Sequence, residues 1–403
     1  MKRVAIERIA GGGDGVGRLE DGRTVFVPRT APGDVVQIEV TQSKPRYARA
    51  RLAAVETPSP SRVEPACPHY TGDLCGGCQL QHLSPETQLE VKRRAVGDAL
   101  RRIGARSVED PPIVASPVAW RYRAKVTLAV SDTAIGLHRE GDPEAVFGLD
   151  DCLIAAEPLM ALWRKLRGHR DKLPEDLRSL VLRQDRQGRL HVIAVGGAAP
   201  WDPRALTVEL ADPRVSVWWS PEGGAARVIA GEHTGFPALA FEQVNRALGD
   251  RIRTDAVKAL GDVSRRLVWD LYGGVGDTAR QLAARGARVW SVDADRSAIE
   301  WAEAAGGSVQ YVAARVEDAL PRMPAPDAII ANPPRTGLHA RVSEHLSRWG
   351  ESAAGRRLCY VSCDPATLAR DLKRMTPFRL SAMTAYDLFP QTAHVESVAV
   401  MES

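Results

Sequence analysis

The sequence predicts an α/β chain in three parts: a small β-barrel, a central α+β region, and a doubly wound parallel sheet that carries the chemistry. Three observations predict it. From about residue 265 short apolar runs alternate with helix-patterned segments, the rhythm of parallel strands joined by crossover helices. Residues 1 to about 55 instead alternate brief β-rich runs with glycine turns. The length, 403 residues, exceeds what one ordinary core holds.

The amino end reads as an all-β barrel over residues 1–57. Gly11 to Gly15 and Asp21-Gly22 are turns, and Thr24–Val27 and Val35–Val40 are strands. No acid falls between Glu39 and Glu56, while Lys44, Arg46, Arg49 and Arg51 flank Tyr47. Such a face suits a nucleic-acid strand, with charges for phosphates and a ring for a base, and suits a solvated hairpin equally. Thr57 to Ser61 is a linker. Residues 62–240 form the central region: three cysteines with little periodicity, an amphipathic helix over Leu89–Ile103, and strands over Tyr122–Val130 and Leu190–Val195.

Residues 241–403 form the third part. Its strand candidates are Leu267–Leu271, Val289–Val292, Val309–Val312, Ala328–Ala331 and Leu358–Ser362, followed by two late β runs, Leu380–Leu388 and Val395–Met401. No internal repeat interrupts the chain.

Composition narrows the class. With 44% hydrophobic and 26% charged residues the chain reads as a globular protein, and no run of about 18 apolar residues offers a membrane span. No apolar stretch follows Met1-Lys2-Arg3, so the expected location is the cytoplasm. There, six cysteines argue for metal ligation or catalysis rather than disulfides. The net charge of +4 permits an acidic partner without requiring one.

The first strand of the parallel sheet runs into Asp270-Leu271-Tyr272-Gly273-Gly274-Val275-Gly276-Asp277, and a helix follows. Gly274 and Gly276 let the backbone turn and approach a ligand, and Asp293 ends the next strand, where it can meet ribose hydroxyls. The third glycine of a dinucleotide fingerprint is missing, since Arg280 stands near its place. That favours S-adenosylmethionine, which has no pyrophosphate to cradle. Asn332, in Asn332-Pro333-Pro334-Arg335, and Cys363, in Ser362-Cys363-Asp364-Pro365, end two further strands on the same rim. Cys359, inside its strand, reads as a buried structural cysteine.

A cysteine beside a methyl donor points to methylation of carbon 5 of a pyrimidine. That carbon is too weak a nucleophile alone; a thiolate adding at carbon 6 activates it, and a base then removes the carbon-5 proton. Glu396, an acid opening the apolar run Val398 to Met401, is the base candidate, with His394 nearby.

These motifs resemble the S-adenosylmethionine-dependent RNA uracil-5-methyltransferases. The matching runs are Phe241 to Asn245, Asp270 to Gly276, Asn332 to Arg335, Ser362 to Arg370 and Phe389 to Glu396, and the amino end resembles the TRAM domain, an oligonucleotide-binding-like barrel. The resemblance implies a Rossmann-like methyltransferase domain, Cys363 as nucleophile and Glu396 as proton-abstracting base. It implies Gln243, Tyr272, Asp277, Asp293 and Asn332 as cofactor contacts. Asn332 departs from the usual aspartate, Asp277 from a neutral polar residue, and Arg315 from Asp or Asn.

Cys67, Cys75 and Cys78, in C-x7-C-G-G-C, with distant Cys152, can hold a cubane iron–sulfur cluster. Structural zinc more often uses two close pairs and is the runner-up. The resemblance favours [4Fe–4S] in a structural or RNA-organising role. The expected activity is conversion of a uridine to 5-methyluridine, with ribosomal RNA favoured (23S above all), transfer RNA as the alternative, and no obligate protein partner. Two rivals differ in class: an exocyclic-amine methyltransferase, suggested by Asn332-Pro333-Pro334, and a non-catalytic RNA-binding protein with a decayed site.

Overall fold

The computed structural model describes residues 1–198 and 200–403. Three sheets organise them. The first is a closed barrel in the order Lys2–Ile9, Gly15–Arg18, Thr24–Val27, Tyr47–Thr57, Val35–Ser43. Alternation sends Val4, Ile6, Val25, Val27, Val36 and Ile38 inward and leaves charged neighbours outside. Gly17 lets two strands approach, since a Cβ there would lie 2.4 Å from the Ala5 carbonyl oxygen.

The second sheet has seven strands, in the order Arg227–Ala230, Val215–Ser220, Leu190–Gly196, Leu177–Gln184, Lys125–Val130, Ile135–Arg139, Asp142–Gly148. Helix Glu157–Leu166 lays Leu159, Met160 and Trp163 against Leu128, Leu180 and Val192 on one face.

The third sheet has eight strands, in the order Gln310–Ala313, Arg288–Asp293, Leu267–Leu271, Ala328–Ala331, Arg357–Ser362, Glu396–Glu402, Arg379–Tyr386, Ile113–Val114. The first five are parallel; Glu396–Glu402 runs antiparallel to both its neighbours. Its central strands are largely apolar because both faces are covered. Trp269, Ile329, Leu358 and Tyr360 face helices Ala340–Glu351 and Pro365–Arg374, while Val268, Ile330, Cys359 and Val361 face Arg246–Ala259 and Asp277–Ala283. Cys359 is fully buried there.

Helix Pro85–Arg102 lies within the stretch that reads as the central region, yet its Val96 and Leu100 pack into the core of the third sheet, as does the short strand Ile113–Val114. Ser84 caps its start by accepting the Thr87 amide at 3.3 Å. This helix therefore ties the amino half of the chain to the third sheet. No helix among the described residues is long and apolar enough to cross a membrane.

Candidate active site

The glycine loop opens a groove at the carboxyl end of the third sheet, where open α/β sheets bind ligands. Tyr272, Gly274 and Gly276 have φ of +62°, +53° and +79°, so the chain reverses sharply before helix Asp277–Ala283. A Cβ on Gly273 would fall 2.2 Å from the Ser291 hydroxyl, whereas one on Gly274 would meet nothing nearer than the Phe241 carbonyl at 3.8 Å. The loop is thus packed tightly behind and open in front, which is the room a nucleoside needs.

Gln243, Tyr272, Gly274, Asp277 and Asn332 all line this groove, with Phe241, Asp270 and Val361. Asp293 and Gly276 are not among the residues lining the groove. Asp293 accepts the Gly274 amide at 2.8 Å and the Asp295 amide at 2.8 Å, bracing the loop from below. Gly276 caps the helix, with Tyr311 where its Cβ would go. Asp277 is neutralised by Arg280 at 2.6 Å, Arg253 at 3.1 Å and Arg186 at 3.3 Å. Arg315, exposed, pairs with the buried Glu317 at 2.9 Å. Asp270 was not singled out in the sequence; burial pushes its carboxyl up to about 7, against the hydrogen bond it accepts from Ser291 at 3.0 Å.

Cys363 follows strand Arg357–Ser362 and is half-buried; Asp364 behind it caps helix Pro365–Arg374 by accepting the Thr367 amide at 2.8 Å. Glu396 opens the antiparallel neighbour and is 1% exposed. Its Oε2 has no hydrogen-bond partner, an uncompensated acceptor in a buried place. Burial pushes Glu396 up to about 8, while the Gln243 amide and the Arg335 charge pull it down. Burial, then the Glu396 charge, push the Cys363 thiol up to about 11, with Arg335 opposing.

The sequence gives Arg335 only a place beside the proline pair, and the structure adds it to this cluster. It acts electrostatically on Cys363 and Glu396 and lies 3.4 Å from His394 Nε2. Burial and the Arg335 charge push His394 down to about 4, so its imidazole is neutral.

Arg335 and His394 also line a second cavity, of about 310 Å³, together with Cys67, Cys75, Cys78 and Cys152. All four thiols are free. Their segments are anchored from three directions. Arg29 of the barrel region donates to the Cys75 carbonyl at 3.2 Å, Arg139 of the central sheet donates to the Asp73 carbonyl at 2.6 Å, and Arg121 donates to the Cys152 carbonyl at 3.1 Å. Burial pushes Cys75 up to about 11 and Cys78 up to about 12. Among the described residues no group of three or more His, Cys, Asp or Glu side chains is drawn together as a ready single-ion site.

Comparison with known proteins agrees with this geometry. Residues 1–53 match the TRAM domain family, and residues 314–403 match the tRNA (Uracil-5-)-methyltransferase family. The chain is 31% identical to the 23S rRNA (uracil(1939)-C(5))-methyltransferase RlmD of Shewanella amazonensis, over 99% of this chain and 95% of the relative. It is 32% identical to the protein of the same description from Pseudomonas entomophila, over 100% of this chain and 94% of the relative. The Pyrococcus abyssi tRNA (uracil-54, C5)-methyltransferase, solved with S-adenosyl-L-homocysteine, superposes with a TM-score of 0.76 at 25% identity, over 99% of this chain and 100% of that one. An open nucleoside groove beside a cysteine and a buried acid, on a chain matched end to end, leads to one conclusion: this protein belongs to the S-adenosylmethionine-dependent RNA uracil-5-methyltransferases.

Proposed function

We propose that this enzyme converts a uridine of 23S ribosomal RNA to 5-methyluridine, with Cys363 as nucleophile and Glu396 as base. The observation that carries the mechanism is the adjacency of the Cys363 thiol and a buried carboxyl whose Oε2 is unpartnered. Bound S-adenosylmethionine supplies the electrophilic methyl group and a positive charge. Gln243, Tyr272, Gly274 and Asn332 line the groove that would hold it.

Cys363 reacts as its thiolate. A new S–C6 bond pushes the ring's electron pair toward carbon 5, which would take the methyl group as the donor's S–CH3 bond breaks and S-adenosyl-L-homocysteine leaves. The Glu396 carboxylate then accepts the carbon-5 proton, and the released electron pair re-forms the ring double bond and expels the Cys363 thiolate. Arg335 faces both anionic groups and lowers the cost of charging them in a buried site. A base in a stack cannot reach Cys363, so the target uridine is flipped out of its stack or lies in a single strand. Full-length likeness to enzymes described as acting on 23S rRNA supports the substrate; likeness to a tRNA enzyme favours transfer RNA as the second reading.

We further infer a [4Fe–4S] cluster at Cys67, Cys75, Cys78 and Cys152. Four thiols around one cavity of about 310 Å³ support it. Zinc is the runner-up, since structural zinc more often uses two close cysteine pairs. The cluster's task is structural, since methyl transfer to an activated uracil moves no net electron. The barrel binds neighbouring RNA, and the enzyme works in the cytoplasm.

The test supplies methyl-labelled cofactor with 23S rRNA or tRNA transcripts and digests the products to nucleosides. Label in 5-methyluridine from 23S rRNA is the expected result. Label on an exocyclic nitrogen, or none, sinks the mechanism; label in tRNA alone moves the substrate to the second reading.

A further inference from the structure

Glu396 begins a strand, so its place depends on the loop that delivers it, residues 387–395. That loop is held from outside. Four successive carbonyl oxygens each accept a hydrogen bond from a different, distant segment. The Leu388 carbonyl accepts from Asn245 Nδ2 at 3.1 Å. The Phe389 carbonyl accepts from Lys92 Nζ at 2.9 Å and the Pro390 carbonyl from the Tyr122 hydroxyl at 3.0 Å. The Gln391 carbonyl accepts from the amides of Leu80 at 2.9 Å and Gln79 at 3.2 Å.

Gln391 is the centre of this arrangement. It is buried and has φ of +71°, a conformation that a side chain other than glycine keeps only where its surroundings impose it. Its amide donates to Gln88 Oε1 at 3.0 Å, and its own Oε1 accepts from Gln88 Nε2 at 3.1 Å, a two-way exchange with helix Pro85–Arg102. Gln79 adds a second hold, accepting the Ala393 amide at 3.2 Å through Oε1. Gln79 directly follows Cys78, and Thr392, Phe389 and His394 of the loop line the cysteine cavity.

We infer that Gln79, Gln88 and Gln391 form a clasp that positions Glu396, so that the cysteine-bearing segment and helix Pro85–Arg102 set the geometry of proton abstraction. These are positioning residues: they touch the loop, not the substrate. The inference rests on the reading of Glu396 as base. It explains why a helix from the amino half is packed onto the methyl-transfer sheet, and gives the cysteine segment a task toward the reaction that needs no electron.

The test uses the full enzyme with Gln88→Ala, Gln79→Ala and Gln88→Glu, and Glu396→Gln as reference. If Glu396 is misplaced, carbon-5 deprotonation slows and the covalent enzyme–RNA adduct survives on a denaturing gel. Gln88→Ala and Gln79→Ala should lower kcat about tenfold to a hundredfold, raise the adduct fraction, and leave cofactor affinity and iron content unchanged. Gln88→Glu keeps an acceptor for the Gln391 amide and should fall between Gln88→Ala and the unaltered enzyme. Gln79 is only half-buried, so its variant reports even where Gln88→Ala fails to fold. Normal kcat and no adduct in the glutamine variants, with adduct in Glu396→Gln, overturns the clasp alone. A loss confined to cofactor affinity overturns it too. No adduct in Glu396→Gln overturns the reading of Glu396 as base beneath it.

Discussion

Glu396 stands opposite Cys363 across two antiparallel strands: the register pairs Ser362 with Ser397, and each reactive residue lies one step beyond that pair. The sheet itself thus brings together an acid and a thiol separated in sequence by a helix, a strand and a loop. Cys363→Ala should lower methyl transfer by about 10³-fold or more, as removal of a covalent nucleophile does, with cofactor binding by calorimetry unchanged because Cys363 does not line the cofactor groove. Normal turnover by that variant would end the covalent mechanism.

The position of Glu396 also predicts a pH dependence. Its carboxyl is pushed from the ordinary 4.5 to about 8 by burial. A base works ionised, so the decay of the methylated covalent adduct in a single turnover should speed up with pH along a limb whose midpoint is near the upper of these values. The same shift sets a stability effect. Below the ordinary value both folded and unfolded chains are protonated; between the two values only the unfolded chain ionises, so the native state loses stability as pH rises, and above the folded value the loss is complete. Glu396→Gln removes this penalty. Its stability advantage over the unaltered protein should be nil in acid and reach a few kcal/mol on the alkaline side, read from denaturation midpoints across pH. An advantage that is flat with pH would refute the buried neutral carboxyl.

Much of this was legible in the sequence, and the residues that were not share a cause. The strands Leu267–Leu271 and Ala328–Ala331 read correctly because a strand buried on both faces is a mostly apolar run, broken in the first only by Asp270. The helix Pro85–Arg102 was legible as a helix, but its stripe does not say which sheet it covers, and it crosses to the third. Asp277 reads as a groove residue and is one, yet Arg186 and Arg253, which neutralise it, come from elsewhere in the chain. Gln391 gives no turn signal, since its positive φ is imposed by Gln88, Gln79 and Leu80 rather than by its own chemistry. Periodicity reports burial; partners are set by topology.

The cysteine cavity predicts a metal content. Protein isolated without oxygen should carry about four irons and four sulfides per chain with a visible thiolate-to-iron absorbance, and Cys75→Ser or Cys78→Ser should lose both. Burial raises both thiols, so loading must release protons and should weaken as pH falls. One zinc per chain and no iron would replace the cluster by the runner-up.

The barrel predicts a salt effect. Lys44 and Arg46 are exposed and make no ion pair among the described residues, whereas Arg51 is tied to Glu39. Each phosphate contact on a single strand contributes about 0.7 to the log–log salt slope. Replacing both residues by Ala should flatten the slope for RNA binding by roughly 1.4 while leaving cofactor affinity intact. An unchanged slope would move the RNA track off this face.

The buried ion pair of Lys92 and Asp387 ties the same loop to helix Pro85–Arg102. Lys92 has no exposed surface, and its side chain also serves the Phe389 carbonyl. Burial pulls the Lys92 ammonium down while Asp387 holds it up, so each charge depends on the other for compensation. Removing one partner leaves the other buried and unpaired, which costs about 3–5 kcal/mol. Lys92→Ala should therefore lower the urea midpoint sharply, and Lys92→Met with Asp387→Leu should recover most of it by exchanging the pair for apolar packing. The double variant still leaves the Phe389 carbonyl without its Lys92 donor, the link that reaches across to helix Pro85–Arg102. Recovery of stability without recovery of kcat would then separate the pair's part in holding the fold from its part in placing Glu396, while a Lys92→Ala protein as stable as the original would show that the pair is not buried as described.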